Sequence, residues 1–298
     1  MIRRLAVIGV GLIGGSLARA LRVAGEVDEV IGCGRSKANL EQAFDLGVID
    51  GCTHDPAVAV DGADMVFLAV PLGAMRDTLE RISGTLADDA VVTDGGSVKG
   101  SVIADVRAVF GTPPPSFVPG HPIAGTERSG VAASFPELYR NRRVILTPVA
   151  ETDVAATARV RAMWEATGAT VTEMSVEHHD EVLAATSHLP HMLAYGLVDA
   201  LARMRENDEI FRYAAGGFRD FTRIASSSPV MWRDICIANR ECLSTMLARF
   251  GEEMTDLAET IRAGDGEHLL EIFSRAKAAR DRYVDAADGG NSEAGASA

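Results

Sequence analysis

Up to about residue 175, apolar residues gather in short, nearly continuous runs: RLAVIGV, EVIGCG, DMVFLAV, AVVTDGG, RVILTPV and TVTEMS. Between them the apolar positions step at helical spacing, as with Ile13, Leu17, Leu21 and Ala24, or Leu72, Met75, Leu79 and Ile82. Strand–helix alternation with continuously apolar strands predicts a parallel sheet covered on both faces. After Ser175 the strand signals stop. The stretch VEHHDEVLAATSHLPHMLAYGLVDALARM reads as helix, interrupted at Pro190, and a second helical stretch opens with Ser228 as N-cap and Pro229 in its first turn. Within it Leu243, Leu247, Phe250, Met254, Leu257 and Ile261 step by four and three, a heptad seam that serves either its own bundle or a second chain. The pattern therefore predicts an α/β domain over 1–175 and an all-helical domain over 176–284. The tail from Asp285 to Ala298, DAADGGNSEAGASA, has the composition of a disordered end.

The first run carries the first chemistry. VIGVGLIGG places Gly9, Gly11 and Gly14 in GxGxxG spacing between a strand and a helix, the context in which the pattern binds a dinucleotide. Gly9 permits the tight turn, Gly11 lets backbone approach a pyrophosphate, and Gly14 lets helix and strand pack closely. Leu12 and Ile13 complete the loop, whose helix N-terminus offers N–H groups to phosphates. The domain is thus of the Rossmann type. At the end of the second strand, where an acid would hold the ribose of NAD, stands Gly34, followed by Arg35, Ser36 and Lys37. That set suits the 2′-phosphate of NADP, so NADP is favoured slightly over NAD. A competing local reading makes Ser36 the cap of the next helix and leaves Arg35 and Lys37 solvated. Val70 and Pro71, at the end of a strand, are expected to line the cofactor.

The segment FVPGHPIAGTERSG, Phe117 to Gly130, is rich in glycine and proline and reads as a loop, yet it brings His121, Thr126, Glu127 and Arg128 together. Charge narrows the partners. With 42 acidic against 29 basic residues and a formal net charge of −13, the 298-residue chain is a poor binder of nucleic acid. An anionic small molecule would need a local basic pocket. Cys33, Cys52, Cys236 and Cys242 have no metal-like spacing and read as reduced thiols of a cytoplasmic protein. The opening MIRRLAVIGVGLIGG has the look of a secretory signal, but it continues as an amphipathic helix, and no stretch approaches the ~18 apolar residues of a membrane span.

The motifs GVGLIGGSLARAL, DGGSVK, GHPIAGTE, SHLPH and GGFRDFTRIASSSPVMWRDI, in that order, resemble the prephenate/arogenate dehydrogenase family of tyrosine biosynthesis from residue 4 to about 280. The resemblance implies a Rossmann domain joined to a helical dimerisation domain, and hence a homodimer. It also implies NAD(P)-dependent oxidative decarboxylation of a cyclohexadienol: prephenate to 4-hydroxyphenylpyruvate, or arogenate to tyrosine. On it, His121 takes or polarises the proton of the substrate hydroxyl as hydride leaves for the nicotinamide, and Ser97 orients both hydroxyl and nicotinamide. Ser97 competes with a role as cap of the helix beginning near Val98. Arg223 matches the carboxylate-binding arginine, with Arg219 the more structural neighbour. His191, supported by His188, contacts substrate, while Thr126 and Glu127 border the pocket, Glu127 gating access or pairing with a basic residue. Trp232 is a pocket wall or core, and His178 and His179 read equally well as solvent-facing. No metal is expected, nor an appended regulatory domain or fused chorismate mutase. The competing readings are a β-hydroxyacid dehydrogenase or imine reductase, and a non-catalytic NADP sensor.

Overall fold

The computed structural model of the chain describes residues 1–205 and 207–293. Its first part alternates as the apolar runs predict: β1 (Ile2–Ile8), α1 (Leu12–Ala24), β2 (Val27–Cys33), α2 (Lys37–Asp45), β3 (Gly51–Thr53), α3 (Pro56–Val60), β4 (Met65–Leu68), α4 (Met75–Ile82), β5 (Val91–Asp94) and α5 (Lys99–Phe110). Then come β6 (Phe117–Val118), β7 (Gly120–Pro122), β8 (Arg143–Leu146), α6 (Val154–Glu165) and β9 (Thr170–Glu173). Helices follow: α7 (Val176–Leu183), α8 (Leu189–Ala202), α9 (Asn207–Arg212), α10 (Gly216–Thr222), α11 (Pro229–Ala238), α12 (Arg240–Ala263) and α13 (Gly266–Glu293).

Six strands pair in the order β3-β2-β1-β4-β5-β6, all parallel, with a core on each face. RVILTPV and TVTEMS do not join this sheet. As β8 and β9 they form a separate three-stranded sheet with β7, in which β7 runs antiparallel to β8 and β9 parallel to it. Apolar pattern reports burial, which both sheets offer, and is silent on which sheet a strand joins. The short β3, β6 and β7 carry too few residues to register as runs.

Two expectations for the helices change. The stretch from Ser228 is broken at Asn239 into α11 and α12, and a π turn over Ala184–His188 sits between α7 and α8, with Pro190 in the first turn of α8. Ser228 does cap α11, its hydroxyl accepting from Met231 N at 3.4 Å. The helix α13 runs on to Glu293, into the tail expected to be disordered, because propagation adds one hydrogen bond per residue once a helix is nucleated. Residues 294–298 of that tail lie outside the described residues. Two compact units result, Met1–Leu243 and a second beginning at Ser244. Among the described residues, no helix is long and apolar enough to cross a membrane.

Candidate active site

Five segments singled out in the sequence leave the same edge of the sheet. Gly9 follows β1, Arg35 follows β2, Val70 and Pro71 follow β4, Ser97 follows β5, and His121 follows β6. These are five adjacent parallel strands, so their carboxyl ends share one side, and the order reverses between β1 and β4. Open α/β sheets bind ligands at that reversal.

The glycine loop is built for close approach. Gly9 has φ +103°, and a Cβ there would lie 2.3 Å from the carbonyl oxygen of Ala69. At Gly14 a Cβ would meet Gly9 O at 2.3 Å and Val7 Cγ1 at 2.6 Å, whereas at Gly11 it would meet nothing within 4 Å. Two glycines are thus demanded by packing, and the third faces open space where a pyrophosphate fits. A cleft of about 640 Å³ runs from Gly9 and Gly11 past Arg35, Ser36 and Pro71 to Gly130. Asn39 also lines it and ties its walls, donating from Nδ2 to Val10 O at 2.6 Å and accepting from Val131 N at 3.1 Å. Ser36 caps α2 through its hydroxyl, and Arg35 is exposed, with no ion pair among the described residues. Leu12 is buried in the core, while Ile13 and Val70 are half-buried and packed on core side chains.

His121 stands on a strand, not on the expected loop. In β7 it pairs with Ile145 of β8, and the prolines on either side need no donor of their own. Pro119 accepts from Thr147 N, and Ile123, after Pro122, donates to Arg143 O. Gly120 is required beside it, since a Cβ there would come within 3.1 Å of Asp94 O. The imidazole is 9% exposed, and burial, then His179, Lys99 and His188, hold its pKa well below the usual histidine value. It is therefore neutral.

A buried polar network, two of whose members, Asp94 and Lys99, open and close the DGGSVK motif, holds this strand. Lys99, with a fully buried side chain, donates to Asp94 Oδ2 at 2.5 Å and to Gly120 O at 2.6 Å. Asp94 also accepts from Gly96 N and Gly120 N, so both ions are satisfied. His121 Nδ1 lies 2.9 Å from His179 Nε2, and His179 Nδ1 lies 2.7 Å from Asp180 Oδ1. Of the adjacent histidines only His178 faces solvent; His179 is fully buried. A signal was present: Val176, His179, Asp180 and Leu183 share the inward face of α7. Ser97 is half-buried and does not cap α5, whose N-cap is Val98.

The helices close over this edge. Val98 packs with Trp232 and Ile235 of α11. The His191 ring stacks on Trp232 with centroids 3.7 Å apart, and His188 meets the same indole edge-on at 6.0 Å. Trp232 is thus both buried and a wall. The π turn lets His188 and His191 serve one indole despite Pro190, and such turns recur at functional sites. Asn239 Nδ2 donates to Asp180 O at 2.8 Å and to His188 Nδ1 at 3.1 Å, which leaves His188 protonated on Nε2. That buried Nε2 has no partner, and burial pushes the His188 pKa down to about 4. His191 Nδ1 donates to Ser187 O at 2.9 Å; burial and the nearby Arg223 charge lower its pKa. Arg223 and Glu127 form an exposed ion pair at 3.0 Å. Glu127 is held below the usual carboxylate range by its own backbone N–H and then by Arg223. Thr126 is exposed, accepting from Arg128 N, and Arg219 is exposed as well.

Residues 17–173 match the family described as "Prephenate dehydrogenase, nucleotide-binding domain", and residues 175–275 match "Prephenate dehydrogenase, dimerization domain". The chain belongs to the prephenate dehydrogenase family. It is 40% identical over 280 residues to the cyclohexadienyl dehydrogenase of Zymomonas mobilis, covering 93% of this chain and 95% of the relative. Prephenate dehydrogenase of Aquifex aeolicus, solved with hydroxyphenyl propionate and NAD+, superposes with a TM-score of 0.88 at 39% identity, covering 95% of this chain and 99% of that one. Synechocystis arogenate dehydrogenase gives 0.78 at 28% identity, covering 94% and 99%. As in this family, the chain is an NAD(P)-dependent oxidoreductase of tyrosine biosynthesis that oxidatively decarboxylates a cyclohexadienyl substrate. That excludes the hydroxyacid dehydrogenase, imine reductase and sensor readings.

Proposed function

We propose that the protein converts prephenate, arogenate or both to 4-hydroxyphenylpyruvate or tyrosine, that it favours NADP over NAD, and that it works as a cytoplasmic homodimer. The observation that carries the reading is the gathering of His121, Ser97 and the glycine loop at the carboxyl ends of adjacent strands, under helices bearing His191, Trp232 and Arg223. A bound nicotinamide would supply the hydride acceptor. Neutral His121 takes the proton of the substrate C4 hydroxyl, and loss of CO₂ then makes the ring aromatic. Ser97, at the end of β5, orients the hydroxyl. Arg223 meets a substrate carboxylate after leaving Glu127, an exchange that costs little because both side chains face water. His191 and His188 contact the substrate against the Trp232 wall, and Thr126 borders the opening. The division at 175/176 leaves the glycine loop, Ser97, His121, Thr126 and Glu127 in the first domain and gives the helical domain His188, His191, Arg223 and Trp232. All four cysteines are free thiols, as a reducing cytoplasm requires. Steady-state kinetics with both substrates and both cofactors tests the reading.

Two variants probe the ligands. Arg223→Ala is expected to raise KM for substrate roughly tenfold or more with little change in kcat, as loss of a charge-assisted carboxylate bond does. An unchanged KM takes Arg223 out of the site. Arg35→Ala should weaken NADP by about tenfold and NAD far less, because the phosphate alone meets its charge. Gly34→Asp should turn preference towards NAD, and the side chain fits: its Cβ would meet Leu40 Cδ2 at an ordinary 3.5 Å. A native protein that strongly prefers NAD would make Arg35 a mere surface charge.

A further inference from the structure

We propose that His179 and Asp180 are positioning residues: with His121 they form a hydrogen-bonded chain that keeps the His121 proton on Nδ1 and leaves Nε2 bare for the substrate hydroxyl. The proposal rests on His121 being the catalytic base.

The polarity of these bonds is set at the far end. Asp180, on α7, accepts from Lys99 N through Oδ1 and from Gly100 N through Oδ2, each at 2.8 Å. These are the first two N–H groups of α5, which no side chain of its own N-cap satisfies. The carboxylate sits where the helix dipole favours negative charge and acts as an acceptor on both oxygens. His179 Nδ1, 2.7 Å from Oδ1, must therefore be the donor. A neutral imidazole has one N–H, so His179 Nε2 is a bare acceptor. Burial keeps His179 neutral, its pKa lowered despite Asp180. His121 Nδ1 lies 2.9 Å from that acceptor, and the contact needs one proton between the two nitrogens. It can come only from His121, whose Nε2 is then left as the lone pair.

Each neutral ring donates at one end and accepts at the other, so two rings in series transmit the polarity set by the carboxylate. The logic is that of an orienting acid behind a catalytic histidine, with one ring interposed. When His121 Nε2 takes the substrate proton, its Nδ1–H becomes a charge-assisted donor to His179, which is polarised in turn by Asp180. No proton need leave the chain for this to help.

The test reads the tautomer and the rate separately. In the native protein with 15N-labelled histidine, NMR is expected to show His121 protonated on Nδ1 and bare on Nε2, the signal being assigned by its loss in His121→Asn. Asp180→Asn orphans one α5 N–H whichever way its amide turns; with the NH₂ at the Oδ1 position, facing His179, it leaves the Lys99 N–H without its acceptor and inverts the chain. His121 should then carry its proton on Nε2, and kcat should fall roughly 10²–10⁴-fold with KM little changed. His179→Gln can accept from His121 and donate to Asp180, so it should keep kcat within about tenfold, whereas His179→Leu should fall like Asp180→Asn. The His179 pair leaves the Asp180 cap on α5 in place, so these variants decide the matter even if Asp180→Asn unfolds. A native His121 protonated on Nε2, an active His179→Leu, or a His179→Gln as slow as His179→Leu overturns the chain. Turnover surviving in His121→Asn would instead sink the base, while the tautomer reading would stand on its own.

Discussion

His121→Asn is expected to fold and to bind dinucleotide, yet to lose about 10²–10⁴ in kcat with a smaller change in KM. Asparagine suits the test because its amide nitrogen occupies nearly the place of the ring Nδ1. It can still donate to His179 Nε2, which lies 2.9 Å from His121 Nδ1 in the native chain, so no buried acceptor is orphaned. What disappears is Nε2 alone. The expected loss corresponds to roughly 2.7–5.5 kcal/mol of transition-state stabilisation, at 1.36 kcal/mol per decade. Groups proposed to bind the substrate without touching its hydroxyl, Arg223 foremost, remain, and so KM is expected to move less. Melting temperature and dinucleotide titration check the fold, and steady-state rates measure the loss. Turnover near the native level would remove His121 from the chemistry.

What could be read in the sequence and what could not divide along a physical line. Gly9, Gly11 and Gly14 are local requirements of a turn, and their spacing announces them. The alternation of apolar runs announces the parallel sheet for the same reason. His121 was legible as a candidate reactive residue through its motif, but its strand was not. Gly120–Pro122 has almost no intrinsic strand preference, and it pairs because β8, more than twenty residues on, supplies the partner. Asp94 and Lys99 open and close the DGGSVK motif, but nothing local says that both side chains are buried. Their pairing depends on Gly120 arriving beside them.

The helical residues show the same division from the other side. His179 shares the inward face of α7 with Val176 and Leu183, a pattern that marks burial but not a partner. The partner comes from β7, fifty-eight residues earlier. Asn239 sits in an otherwise continuous helical pattern, and its side chain bonds to Asp180 and His188 where α11 gives way to α12. Long-range polar pairing sets both positions, and periodicity carries no record of it.

Phe250→Asp combined with Met254→Lys is expected to convert a dimer into monomer or aggregate. Along α12, a helix of 24 residues and therefore about 36 Å long, the seam places Leu247, Phe250, Met254, Leu257 and Ile261 on one stripe. Leu243 at its start is buried, but Leu247, Met254 and Ile261 are 37%, 46% and 58% exposed, and Phe250 and Leu257 are half-buried. In α13, Leu270 and Phe273 are exposed as well. A stripe of this kind left in water is costly, because each large apolar side chain gains roughly 1.5–3 kcal/mol on full burial. A second copy laying the same stripe alongside covers it with two-fold symmetry, the commonest arrangement. The match of residues 175–275 to a dimerization domain spans most of this stretch. The two new charges lie four residues apart and can pair with each other, but taking the pair out of water in an apolar interface still costs several kcal/mol, so the interface should not survive them. Light scattering on the native protein should give about twice 31.5 kDa, and on the double variant 31.5 kDa or large aggregates. A native monomer at micromolar concentration, or a double variant that stays dimeric, would mean that the stripe faces something other than a second chain.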